Sequence, residues 1–194
     1  MKHLTLFTTA ALAFVLTSFT VLTSNNWSAD AGHSHLGFTL NHMKIADFHG
    51  SFSSWEGKIT SSQPDLSDAV VDFSGDINSI YTGNSARDNH LASADFFDAE
   101  KYPKFTFKST SFKKSGKNEY TVTGDLSFHG ITKEITLKAI NTGNAENPQD
   151  KTLLTGFKVS GTFNRLDFGI SPDTPEMFLG NDVTIVADIE FAQG

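Results

Sequence analysis

The stretch "TGNSARDNHLASADFFD" (82–98) gathers Arg87, Asp88, His90, Asp95 and Asp98 around the apolar pair Phe96-Phe97. An acid pair drawn from Asp88, Asp95 and Asp98 could exchange protons with a substrate. An aspartate-rich short helix equally caps backbone amides and pairs with Arg87 or Lys101. A second grouping is "HSH" (33–35), where His33 and His35 stand at i and i+2, a spacing that zinc sites use. In an extended strand that face is opposite Phe38 and Leu40, and no third ligand or base adjoins it. Two readings follow: a metal-assisted hydrolase using His33, His35 and a nearby carboxylate, or a solvated pair at the start of a strand. No G-x-S-x-G elbow, phosphate-cradling glycine loop or calcium-loop spacing occurs. The residues provide no nucleophile–base set, and the expectation is a protein that is not an enzyme.

Two further polar groups stand out because of the strands that must position them. Period-two alternation dominates from residue 34 onward. In "HLGFTLNHM" the apolar face holds Leu36, Phe38 and Leu40, and parity carries His42 onto it. In "FKVSGTFNR" Phe157, Val159 and Phe163 lead by the same parity to Arg165. His42 is either a hydrogen-bonded core histidine or a polar group in an apolar wall that meets a ligand's head group. Arg165 either pairs with an internal carboxylate or faces an anionic ligand at an opening. Arg87 invites the same two readings.

The remaining strands repeat the alternation. "FHGSFSSWEGKI" carries Phe52, "VVDFSGDINSI" carries Phe73, and "KFTFKSTSF" carries Phe105 and Phe107. "YTVTGDLSF" carries Leu126 and Phe128, "KEITLKAI" follows, and "VTIVADIEF" carries Ile185. Interior glycines such as Gly50, Gly75, Gly124 and Gly161 fall on or near apolar-face positions, where a strongly bent sheet needs a missing side chain. "HGITK" (129–133) reads as a tight hairpin, and 61–69, 142–150 and 169–182 as longer loops. In "SADFFDAEKYP", Ser93 as N-cap and Pro103 as stop predict one short helix.

The fold class expected is therefore all-β: an eight-stranded antiparallel barrel with one short helix in the long inter-strand loop. The polar faces are rich in Asp, Lys, Glu and Asn, which a membrane-spanning barrel would have to turn toward lipid. The polarity instead fits an apolar interior, with a flattened β-sandwich as the rival.

Composition narrows the partners. The opening "MKHLTLFTTAALAFVLTSFTVLTS" has Lys2 and His3 before an uncharged apolar run, the pattern of an export signal. Residues 1–24 are expected to be removed, leaving one domain over 25–194, exported and with no integral membrane span. Without Lys2 the mature chain holds 14 basic and 22 acidic residues, a balance of −8 that excludes nucleic acid as a partner. Cysteine is absent, so there is no disulfide, thiol nucleophile or Cys-ligated metal. Of 18 phenylalanines, 15 follow the signal, spread along the whole chain.

These motifs carry a resemblance. The sequence resembles the YceI-like proteins over about residues 27–191. The matching residues are Trp27, Asp30, His33, Ser34, Phe38 and His42, then "HGSF", "INSIYTGNSARDNHLASADFFDAEKYPKFTFKST", "VTGDLSFHGITKEITL" and "FNRLDFGI". The resemblance implies a lipocalin-like barrel in the periplasm that holds a polyisoprenoid or similar long amphiphile, such as an isoprenoid quinone or prenyl phosphate. On that basis Phe38, Leu40, Phe52, Phe73, Phe105, Phe107, Leu126, Phe128, Phe157, Phe163 and Ile185 are the expected lumen residues. His42, Arg87 and Arg165 are the head-group candidates. No metal or covalent cofactor is expected. An envelope adaptor remains an alternative, and pairing with a second copy of the chain is left open.

Overall fold

The computed structural model describes residues 25–63 and 65–194. The expected export signal, residues 1–24, lies outside the described residues. Among the described residues eleven strands share one antiparallel sheet: β1 (Asn25–Ala29), β2 (His35–His42), β3 (Ala46–Phe52), β4 (Trp55–Ser61), β5 (Val70–Asp76), β6 (Ile80–Tyr81), β7 (Lys104–Lys114), β8 (Glu119–Phe128), β9 (Ile131–Glu146), β10 (Leu153–Asn164) and β11 (Leu179–Gln193). Among the described residues a single α-helix, α1, spans Ser85–Ala92.

Pairing of β1 with both β4 and β11 closes the circuit β1-β4-β5-β7-β8-β9-β10-β11, an eight-stranded barrel. That closure excludes the sandwich. The three extra strands come from bends. A 3₁₀ turn at Ala31–His33 separates β1 from β2, Ser53-Ser54 separate β3 from β4, and a 3₁₀ turn at Ile77–Ser79 separates β5 from β6. Beyond those bends β2, β3 and β6 form a flap that pairs through β2 with β11 and ends at β6.

The period-two pattern sends one face inward. Leu36, Phe107, Leu126, Phe128 and Phe157 form a core on that face, with Phe38, Phe52, Phe73, Phe105, Phe163 and Ile185 packed against them, and Leu40 is buried as well. Cross-strand register explains two of the glycines more closely than sheet curvature does. Phe38 stands opposite Gly50, and Phe105 opposite Gly75. A Cβ at Gly50 would lie 2.3 Å from Phe38 Cζ, and one at Gly75 would lie 2.2 Å from Phe105 Cζ. Each glycine thus leaves room for a ring to fold flat across the neighbouring strand.

Register also sorts the connections. The β2–β3 turn, the segment 82–103 with α1, the β8–β9 turn and the β10–β11 loop gather at one end, the mouth. The 62–69 loop, the β7–β8 turn and the β9–β10 loop gather at the other. The β8–β9 hairpin turns on His129 and Gly130 alone, as its sequence predicts. Among the described residues no helix is long and apolar enough to cross a membrane.

Candidate functional site

The interior contains three consecutive apolar spaces. The largest, about 510 Å³, opens at the mouth between β2, β3, α1 and the β10–β11 loop. Below it lies a space of about 80 Å³, and beyond that one of about 120 Å³ deep in the closed circuit. Phe38, Phe97, Phe128, Phe163 and Val183 are shared walls of the first two. Leu36, Phe105, Leu126 and Ile185 are shared walls of the second and third. The spaces therefore lie in series, each sharing side-chain walls with the next. A volume of 510 Å³ falls in the usual range for small-molecule sites.

All eleven expected lumen residues line one of these spaces. Phe38, Leu40, Phe128 and Phe163 reach the mouth space, Phe52 the middle one, and Phe73, Phe105, Phe107, Leu126, Phe157 and Ile185 the deep one. The two inner spaces are bounded by apolar side chains and Gly37. The ionisable residues bordering the mouth space are His42, Asp47, Arg87, His90 and Arg165. Chemistry that needs a charge is confined to that level.

The stretch 82–98 proves to be a clasp on the mouth. The helix lies earlier than Ser93 and Pro103 predict: Asn84 is its N-cap, accepting from the Arg87 amide at 3.0 Å, and Ser93 is its C-cap. Asn84 wins because Ala86, Leu91 and Ala92 beyond it favour helix, whereas 94–102 forms turns around Asp98. Asp88 accepts from the amide and hydroxyl of Thr82, and Arg87 donates to Thr82 Oγ1 at 2.9 Å and to its carbonyl at 2.6 Å. Both charges thus tie α1 to the end of β6. Arg87 also lies over the Phe48 ring at 4.6 Å, and its exposed guanidinium borders the mouth space. Phe97 is buried against Phe128 with centroids 5.3 Å apart, and half-buried Phe96 meets His90 edge-on at 5.0 Å.

Arg165 corrects both readings drawn from its sequence. Its side chain is 2 % exposed, and it neither pairs with a carboxylate among the described residues nor presents a free donor to a ligand. The strand ends at Asn164, which caps a 3₁₀ turn over Arg165–Phe168, so inward parity stops one residue earlier. The guanidinium donates to the carbonyls of Ile170, Ser171, Thr174, Leu179 and Gly180 and to Asn181 Oδ1. Burial lowers its pKa, and Glu176 opposes that shift. Arg165 therefore folds the β10–β11 loop around itself and places a fixed positive charge beside the mouth space.

His42 also departs from the core reading: it is exposed at the rim, paired in register with Leu179 and Ala46, and it borders the mouth space. The proposed pairing of His33 with His35 is not formed. His33 ends the 3₁₀ turn, whereas His35 begins β2, so the two do not share a strand face. The structure instead brings Asp30, His33 and Glu190 together, their ligand-type atoms within 4.8 Å of one another. His33 Nδ1 lies 2.8 Å from Asp30 Oδ2, and that hydrogen bond raises the histidine and lowers the aspartate from their ordinary ranges. This group sits on the outside and borders none of the three spaces.

Several residues bordering the mouth space escape the alternation pattern: Phe48, Leu91, Phe97, Ile170, Phe178 and Leu179. Most lie in loops or the helix, where period two carries no information. Phe48 and Leu179 face inward beyond the barrel's bends.

The sequence pattern of the YceI-like domain matches residues 27–191. The chain belongs to the YceI-like family. Among curated relatives, a UPF0312 protein of Pseudomonas putida strain F1 is 39 % identical over 153 residues, covering 78 % of this chain and 76 % of the relative. The crystal structure of a Campylobacter jejuni YCEI protein is 29 % identical, with a TM-score of 0.72, and covers 92 % of this chain and 99 % of that one. A polyisoprenoid binding domain from Saccharophagus degradans shares the fold at 14 % identity, with a TM-score of 0.60, over 87 % of this chain and 98 % of that one. The YceI-like barrel of this chain is thus the architecture expected from its sequence.

Proposed function

We propose that the barrel binds a long-chain amphiphile, of the polyisoprenoid, isoprenoid quinone or prenyl phosphate class, and carries or stores it after export to the periplasm. The observation that carries this reading is the series of three apolar spaces running inward from a mouth that alone bears charge. A chain entering there gains roughly 0.8 kcal/mol per buried methylene, so a few isoprene units supply on the order of 10 kcal/mol before association and ordering costs. The aromatic walls offer flat area to branched, unsaturated chains. Rotation of Phe38, Phe97, Phe128 and Phe163, rings shared by the mouth and middle spaces, would join those two, and movement of Phe105 would extend the passage to the deep one. At the rim, His42 and Arg87 are placed to meet a head group, and Arg165 contributes charge without contact. The reading assigns no bond-making step, metal or cofactor to the chain.

Organic extraction of protein purified from its native host, followed by mass spectrometry, tests the proposal. A stoichiometric amphiphile with a long branched chain is expected. Repeated recovery of protein with no co-purifying amphiphile would refute it.

A further inference from the structure

Among the described residues ten large apolar side chains stand exposed, and four of them fall together on two adjoining loop tips. Ile45 is 83 % exposed, Met177 58 %, and Met43 and Phe178 47 % each. All four lie on two loop tips at the mouth, the β2–β3 turn and the β10–β11 loop. The Met43 amide donates to the Phe178 carbonyl at 3.1 Å, so the tips adjoin and their side chains form one patch. The patch is continuous with the cavity, since Phe178, Leu179, His42 and Ala46 border the mouth space at its foot.

Neither tip is exposed through slackness. Arg165 Nη2 donates to Thr174 O and Leu179 O, gripping the chain on both sides of Met177-Phe178. The β2–β3 turn holds Met43 at φ 53° and Lys44 at φ 58°, closed by the Ile45 amide on His42 O at 3.2 Å. Two-residue turns with positive φ favour Asn-Gly, and the β8–β9 turn of this barrel does place a glycine there. In the β2–β3 turn two long side chains occupy strained positions instead. Strain of that kind persists where the surroundings impose it, and it concentrates at functional sites. Lys44, set between Met43 and Ile45, has the long stem that keeps an ammonium in water while its neighbours sit in a greasier layer.

We propose that this two-loop tip seats in the interfacial layer of a phospholipid bilayer, so that the mouth opens directly onto the acyl region. The inference rests on the amphiphile-carrier reading, because a water-insoluble chain must enter from a lipid phase. Charge argues for insertion rather than electrostatic attraction: Asp47, Asp173 and Glu176 lie in or beside the same loops, and the chain as a whole carries −7. Docking should therefore occur on zwitterionic lipid and depend little on salt.

The chain has no cysteine, so Ile45→Cys and Lys117→Cys each give a single attachment point for an environment-sensitive fluorophore, at the mouth and at the opposite end. Both labelled chains are mixed with phosphatidylcholine vesicles, with and without phosphatidylglycerol. The expected result is a blue-shifted emission at position 45, quenched by bromine-bearing acyl chains, with no change at position 117. Met43→Ser combined with Met177→Ser should weaken vesicle binding on the order of tenfold or more while the extracted amphiphile is retained. A position-45 label indifferent to vesicles in protein that still holds its amphiphile would overturn docking and leave the carrier reading standing. A shift that grows with protein concentration in the absence of vesicles would overturn it in favour of a second copy of the chain. Insertion by a protein that never yields an amphiphile would support docking alone.

Discussion

The two ends of the barrel differ in what their loops are tied to. At the far end the 62–69 loop is tied across to the barrel. Leu66 and Ala69 are buried in the core, and the Tyr120 hydroxyl donates to Asp65 O at 3.1 Å. Asp68 accepts from the hydroxyls of Ser61 and Ser62 and from the amides of Ser62 and Gln63, which holds its carboxyl well below the usual carboxylate range. The polar hollow outside that end, lined by Asn25, Gln63, Asn118, Asn141 and Asn144 among others, shares no lining residue with the deep apolar space. At the mouth each loop is braced mainly within itself or to its neighbour at the rim, Arg165 within 165–181 and Arg87 and Asp88 on Thr82. The ladder stops at β6 instead of closing onto β7. One sheet thus carries two unlike ends: at one the 62–69 loop packs Leu66 and Ala69 into the core, and at the other the largest apolar space opens at the rim.

Substitutions at the two ends should separate accordingly. The largest effect is expected at the level between mouth and interior, where the Phe128 ring meets Phe97, Phe105, Phe163 and Phe168 at centroid distances of 5.3 to 6.3 Å. Phe128→Asp buries an unpaired charge there and should cost about 4 kcal/mol or more in urea unfolding, enough to prevent folding of a marginal domain. Next comes Arg165→Ala, which strips partners from five carbonyls. It should cost about 3 kcal/mol and speed amide exchange across 170–181, leaving the far-end strands unchanged. Loss of protection spread evenly over both ends would contradict the view that each mouth loop is braced locally.

Smaller effects sharpen the contrast. Tyr120→Phe should cost about 1 kcal/mol and leave amphiphile retention as it was. His42→Leu should leave stability nearly unchanged and alter retention, and a reversal of that pair would break the assignment of the two ends. The smallest expected effect is a pH dependence outside the barrel. His33 is raised by its bond to Asp30, so its contribution is complete below its unfolded pKa of about 6.5 and fades as pH rises through the higher folded value. Asp30 is lowered, so its contribution is complete above its unfolded pKa of about 4 and fades as pH falls through the lower folded value. The stability difference between wild type and His33→Gln should therefore be largest between about pH 4 and 6.5 and shrink on either side. A difference that grows with alkalinity would contradict the pairing.

Much of this architecture is legible in the sequence because period two is sustained over long runs and one face is consistently apolar. Parity alone places Phe38, Leu126 and Ile185 inside, and strand number and polarity together predict a closed barrel. Parity gives a side but not a depth, which is why His42 reads as a core residue and stands at the rim. It also fails silently when a strand ends. Asn164 and Gly169, the latter at φ 64°, bracket the 3₁₀ turn that removes Arg165 from the strand pattern, and that cap-and-stop pair is the signal in the sequence. The position of α1 turns on a choice between two capping residues, Asn84 and Ser93, which local chemistry barely separates. The bends at Ala31–His33 and Ile77–Ser79 carry caps of the same kind, Asp30 accepting from the Gly32 amide and Asp76 from the Asn78 amide, but the alternation on either side of them gives little warning.

Affinity measured against chain length, with prenyl alcohols of one to several isoprene units, tests the central claim most directly. Passage from the mouth through the shared rings toward Phe107 and Phe157 predicts that each added unit tightens binding by at least about tenfold over the first few units. Ala187→Trp, which fills the deep space, should truncate that rise. Affinity that is flat with length, or unaffected by Ala187→Trp, would show that the interior takes no guest.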